Sequence, residues 1–108
     1  MNNAAVFVFE SVENATEAQW DFSNDVLIKG TAFACKHVIP SMRAAGGGSI
    51  INFGSICGTR AHENFAVYNT AKAGLTNMTR SIAMDVAADG IRCNIVCPVR
   101  NPAPESIL

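Results

Sequence analysis

No apolar run in the chain approaches the roughly 18 to 20 uncharged residues of a membrane-spanning helix, and Met1-Asn2-Asn3 lacks the basic-then-apolar plan of a secretory leader. Membrane-embedded and exported classes are set aside, and a soluble, cytoplasmic protein is expected. Excess charge is lacking as well. With 8 basic against 9 acidic residues and a formal net charge of -1, the chain has no basic footprint for duplex nucleic acid or an anionic lipid surface. Closely paired cysteines are missing too. Cys35, Cys57, Cys93 and Cys97 include no C-x2-C pair, and Cys93 and Cys97 fall about 13 Å apart on one face if their segment is a strand. They read as small buried apolar side chains in a reducing compartment, and no metal site is expected. Internal repeats and low-complexity tracts are also absent.

What is present is apolar surface that must be buried. A hydrophobic fraction of 49% with 16% charged residues argues against disorder. A length of 108 residues accommodates one core and excludes two domains. Thr16-Glu17-Ala18-Gln19 fits a capping box, and the apolar positions from Trp20 to Ile39 recur mostly at helical spacings. The pattern predicts one long helix to about Ala44, disturbed near Pro40, whose ring opposes a helical hydrogen bond. Gly46-Gly47-Gly48 reads as a loop, and Ser49–Phe53 as a short, mostly apolar strand.

The strongest helical signal runs from Phe65 to Ala88, with Val67, Ala71, Leu75, Met78, Ile82 and Val86 forming one stripe. Asp89-Gly90 stops it, Ile91–Cys97 reads as a second strand, and the proline-rich tail from Pro98 cannot continue that strand. The order helix, strand, helix, strand favours α/β layering with a parallel crossover. Two strands with helices for one face make a poor sheet alone. The chain is therefore expected to be the middle of a larger doubly wound domain.

Tyr68 and Lys72 stand at i and i+4, so their side chains project from neighbouring turns of one helix face. A lysine ammonium beside a phenol favours the phenolate, which makes the tyrosine a usable acid or base nearer neutral pH. Ser55 lies thirteen residues before Tyr68, directly after a buried strand and Gly54, where parallel sheets place reactive side chains.

These residues resemble the catalytic middle of the short-chain dehydrogenase/reductase family. Ser49-Ile50-Ile51-Asn52-Phe53-Gly54-Ser55 resembles the strand ending in the family's catalytic serine, and Tyr68-Asn69-Thr70-Ala71-Lys72-Ala73 its Y-x-[AS]-[SA]-K-[AG] signature. Asn2-Asn3-Ala4-Ala5 is similar to the N-N-A-G motif closing the fourth strand. Ile91 to Pro98 is similar to the sixth strand and the turn beside the nicotinamide.

The resemblance implies a partial Rossmann-like doubly wound parallel sheet over residues 1–108, lacking the glycine-rich nucleotide-binding half and the substrate-loop region. It implies interconversion of a small alcohol and a carbonyl with NAD or NADP. Ser55, Tyr68 and Lys72 would be catalytic. Asn3, Ala4, Tyr68, Lys72, Pro98 and Val99 would contact the cofactor, and Ser55, His62 and Tyr68 the substrate. The two long helices would form a homo-oligomer contact.

Departures accompany the matches. Family members usually read W-x6-N-x2-G along the first long helix, where the asparagine anchors a proton-relay water. Here Trp20 and Gly30 keep register, but the position is Leu27, with Asn24 nearly one turn away. Val99 replaces the glycine expected after Pro98, and no G-x-x-x-G-x-G turn occurs. These departures support a second reading, an inactive truncated remnant acting at most as a helical self-association module. His37 reads as a solvated surface residue, while His62, Glu63 and Phe65 fall where the family lines its substrate pocket.

Overall fold

The computed structural model of the chain describes residues 8–54 and 63–97. The element order is α1 (Glu17–Ser23), a π-helical segment (Asn24–Lys29), α2 (Gly30–Ala44), β1 (Gly48–Phe53), α3 (Ala66–Val86), a short 3-10 turn (Ala87–Asp89) and β2 (Ile91–Val96). β1 and β2 pair in parallel, in register from Gly48 opposite Ile91 to Phe53 opposite Val96. The α/β order read from the sequence is the order found. Among the described residues, no helix is long and apolar enough to cross a membrane.

Local chemistry sets the ends of these elements. Thr16 Oγ1 accepts from Gln19 N–H at 3.2 Å and Gln19 Oε1 accepts from Thr16 N–H at 2.8 Å, so two of the orphan donors of a helix start are satisfied reciprocally. Beyond α3, Gly90 closes the turn at φ 72°, a left-handed conformation that residues with a Cβ adopt at a cost. Gly47 approaches this same turn: a Cβ there would lie 2.9 Å from Gly90 O. Gly46 and Gly47 form the expected loop, and Gly48 is already the first residue of β1.

The first helix departs from expectation. Its interruption is at Asn24–Lys29, not at Pro40, which lies exposed within a continuous α2. Gly30 N–H donates to Asp25 O, the five-residue step of a π turn. The cause is visible in the burial pattern, because Ser23, Leu27, Thr31 and Cys35 are buried at successive steps of four. In a regular helix each such step overshoots one turn by about 40°. The wider π turn offsets that drift and keeps the four side chains toward the rest of the fold.

α2 and α3 both pack on one face of the sheet. Cys35, Ile50, Val86, Ile91 and Cys93 form the core there, flanked by Ile39, Met42, Ile82 and Ala83. The opposite face carries exposed Ser49, Arg92, Asn94 and Val96, as expected of a pair covered on one side only. An ion pair from Arg43 Nε to Asp89 Oδ2 at 3.0 Å ties the end of α2 to the turn before β2. Being exposed, it adds little stability.

Cys35, Cys93 and Cys97 are free thiols; the first two are buried and Cys97 is exposed. Among the described residues, no three His, Cys, Asp or Glu side chains cluster as a metal site would require. Burial pushes both buried thiols up, and Cys93 reaches about 11 from an ordinary 9.0, with the neighbouring Cys35 adding to the effect. Above pH 9 the unfolded chain gives up this proton while the folded chain keeps it, so stability falls as pH rises. The contribution is complete below about pH 9 and lost through about pH 11, with a size of at most about 2 to 3 kcal/mol. Denaturant midpoints across that range should decline less steeply in Cys93→Ala than in the parent; parallel slopes would show that Cys93 is not responsible.

Candidate active site

The candidate site forms where the carboxyl end of β1 meets the first turns of α3, the end of a parallel strand at which α/β folds place ligands and reactive groups. Gly54 N–H donates to Val96 O at 2.8 Å and continues the ladder past the end of β1. A Cβ at Gly54 would come within 3.0 Å of Ile95 and Cys97 side-chain atoms, so a larger residue just ahead of Ser55 would require those side chains to shift. Ser55 itself lies outside the described residues, as do Asn3, Ala4, His62, Pro98 and Val99.

α3 brings Tyr68 and Lys72 together. Tyr68 is 7% and Lys72 4% exposed, so both face the fold interior. The Tyr68 ring packs with Leu27 and Ala71, flanked by Val26 and Phe65, and meets Phe65 edge-on at 6.4 Å between centroids. Phe9 in turn lies 4.9 Å from Phe65. Lys72 Nζ donates to Phe53 O at 3.2 Å and stands 5.7 Å from the centre of the Tyr68 ring. An ammonium at that range is attracted by the ring and stabilises negative charge on its oxygen. Anchored on the last carbonyl of β1, the lysine is oriented by the strand as well as by its own helix.

Leu27, where the resemblance expects a polar amide, is 1% exposed and sits against Tyr68. Asn24 is exposed and does not occupy that place. Leu27 is a packing residue here, so Leu27→Asn should destabilise the chain by about 2 to 5 kcal/mol, the range of a large core truncation, with an unpaired amide adding to the loss. A thermal or urea midpoint equal to the parent's would contradict this packing role. His37 is exposed on α2, away from the core.

Asn52 is a residue that periodicity passes over. It is 0% exposed in β1, its Nδ2 donates to Thr79 Oγ1 of α3 at 3.0 Å, and it lies 3.9 Å from Cys93 Sγ of β2. The available signal was an amide within the apolar run Ile50-Ile51-Asn52-Phe53, since a buried polar group needs a partner.

The chain is similar to known proteins over most of its length. The family described as enoyl-(acyl carrier protein) reductase matches residues 1–104. Among curated relatives, D-xylose 1-dehydrogenase of Caulobacter vibrioides is 38% identical over 91% of this chain and 40% of its own length. 2-(S)-Hydroxypropyl-CoM dehydrogenase 3 of Xanthobacter autotrophicus is 39% identical over 91% and 38%. Dehydrogenase/reductase SDR family member 6 of Xenopus laevis is 39% identical over 89% and 40%. The chain thus spans about two fifths of the length of the curated relatives it matches.

Solved structures are similar over nearly all of it. A short-chain dehydrogenase/reductase from Burkholderia xenovorans superposes with a TM-score of 0.89 at 32% identity, covering 98% of this chain and 42% of that one. L-sorbose reductase from Gluconobacter frateurii, solved with NADPH and L-sorbose, gives 0.83 at 31% identity over 94% and 40%. The family match over residues 1–104, the 38 to 39% identity to dehydrogenases over about nine tenths of the chain and the shared parallel fold agree: the chain belongs to the short-chain dehydrogenase/reductase family.

Proposed function

We propose that this chain supplies the catalytic serine, tyrosine and lysine of an NAD(P)-dependent oxidoreductase that interconverts a small alcohol and its carbonyl. In this reading, residues 1–108 are the middle of one domain, and the glycine-rich nucleotide-binding unit and the substrate loop belong to the remainder of the fold. The carrying observation is the buried Lys72 ammonium, fixed on Phe53 O and set 5.7 Å from the Tyr68 ring. A cation held in the core beside a phenol suits two tasks, stabilising the phenolate and meeting ribose hydroxyls. Tyr68 exchanges the proton of the substrate oxygen at its Oη, and Ser55 donates a hydrogen bond to that same oxygen. Lys72 would hold the cofactor ribose and favour the phenolate. By the family resemblance, Asn3, Ala4, Pro98 and Val99 would contact the cofactor, and His62 the substrate. The nicotinamide, when bound, supplies the hydride acceptor or donor.

The relatives' names support the reaction class, and the sorbose reductase solved with NADPH supports the cofactor class. A decisive test replaces the matching segment of an active relative with residues 1–104 and follows nicotinamide absorbance during turnover. Turnover well above that of the same graft carrying Tyr68→Phe is expected. A folded, cofactor-binding graft no faster than its Tyr68→Phe form would overturn the reading. The isolated chain should bind NAD(H) and NADP(H) negligibly, because most adenosine and pyrophosphate contacts belong to the glycine-rich unit; micromolar affinity by calorimetry would refute this.

The two long helices also form a self-association surface in this reading. A groove of about 240 Å³ between α1, the π segment and α3 is lined by Trp20, Ser23, Asn24, Ile28, Val67 and Thr70. Uncovered apolar surface of this kind drives association. Sedimentation should show concentration-dependent oligomers, and a compact monomer at high concentration would exclude them. A cytoplasmic setting fits the three free thiols.

A further inference from the structure

We propose that Asn52 is a positioning residue: from within β1 it fixes the seating of α3 and thereby holds Lys72 against Tyr68. The proposal rests on the reading of Tyr68 and Lys72 as a coupled pair. Thr79 Oγ1 donates its one proton to Leu75 O at 2.8 Å, so toward Asn52 it can only accept. The Asn52 amide therefore turns its Nδ2 to Thr79, at 3.0 Å. Its Oδ1 is buried and, among the described residues, has no hydrogen-bond partner.

An unsatisfied buried acceptor lowers stability, and an apolar side chain of similar size would avoid that loss. Stability alone thus does not explain an amide here. What the amide adds is direction. β1 grips α3 at two places seven residues apart, through Lys72 on Phe53 O and through Thr79 on Asn52, and adjacent strand residues make the two grips. One grip leaves the helix able to slide or roll, whereas two fix its axial seating. If α3 shifts on the strand, Phe53 O no longer meets Nζ at 3.2 Å, and the lysine loses the contact that orients it toward the ring.

The chain has a single tyrosine, so its phenolate absorbance reports Tyr68 alone. Among the described residues, the charged groups of the neighbouring elements are turned to solvent. Asp25 and Lys29 of the π segment pair with each other at 3.4 Å in solvent, and Glu63 is exposed. β1 presents no charged side chain.

Spectroscopic titration of the full chain and its variants provides the test. In the parent, Tyr68 should ionise below the usual phenol value, the Lys72 ammonium favouring the phenolate. Asn52→Leu should stay folded by circular dichroism, unfold at an equal or higher denaturant midpoint, and return most of that shift. Thr79→Val should do the same, Thr79→Ser should titrate as the parent does, and the core truncation Ile91→Val should leave the phenol in place. A folded Asn52→Leu with a parent-like phenol overturns the proposal while sparing the Tyr68–Lys72 pair. A shift of equal size in Ile91→Val also overturns it, because general loosening would then suffice. Loss of fold in both Asn52→Leu and Thr79→Val makes the tie structural and overturns it. A parent phenol at about 10 overturns the coupled-pair reading and this proposal together.

Discussion

Tyr68→Phe, introduced into a complete domain that contains this chain, should lower turnover by about 10²- to 10⁴-fold, the usual worth of a positioned general acid or base. Cofactor affinity should hardly change. The substitution deletes one oxygen and its proton, while the ring that packs with Leu27 and Ala71 and meets Phe65 edge-on remains. Ground-state packing is preserved, so the loss should fall on the chemical step, with turnover and turnover per unit Michaelis constant falling together. Steady-state kinetics beside cofactor titration separates the outcomes. A variant that kept full turnover would remove Tyr68 from the mechanism, and one that lost cofactor affinity to the same degree would make its role one of binding.

Much of this arrangement was legible in the chain, for reasons that particular residues show. The i, i+4 spacing of Tyr68 and Lys72 fixes their shared face whatever surrounds it, because helical geometry is local. Gly90 after Asp89 marks the end of α3 through its backbone freedom alone, and the structure finds it at φ 72°. The capping box at Thr16 is local as well.

The features that escaped depend on contacts between distant segments. The π segment exists because Ser23, Leu27, Thr31 and Cys35 all turn inward, and that follows from what α3 and the sheet present to them. Pro40 looked like the weak point of the helix, yet it is exposed and α2 runs through it. The buried face of α3 is also wider than its apolar stripe. Lys72, Thr76 and Thr79 are buried, while Met78 and Ile82 are only half-buried. Threonines bonded to the carbonyl four residues back, and a lysine bonded to a strand carbonyl, satisfy their polar atoms at home and so tolerate burial. Hydropathy patterning cannot register that satisfaction, and for the same reason it passes over Asn52.

Lys72 supplies the second large effect, of a different kind from that of Tyr68. Lys72→Ala in the complete domain should weaken cofactor binding by about 10- to 100-fold, the loss of one hydrogen bond from a charged donor, and should slow turnover in addition. In the proposed mechanism one ammonium serves both the ribose and the phenolate, so both functions should fail together. Alanine also removes the buried stem, so Lys72→Met is needed to separate charge from packing. Lys72 is 4% exposed, and taking a charge out of water carries a cost that an apolar side chain does not. Methionine fills the same space without a charge, so Lys72→Met should unfold at an equal or higher denaturant midpoint than the parent. It should still lose cofactor affinity and turnover as Lys72→Ala does. If Lys72→Met instead keeps cofactor affinity, the ribose is held elsewhere. If it falls apart where the parent is stable, the hydrogen bond to Phe53 O is serving the fold more than the site.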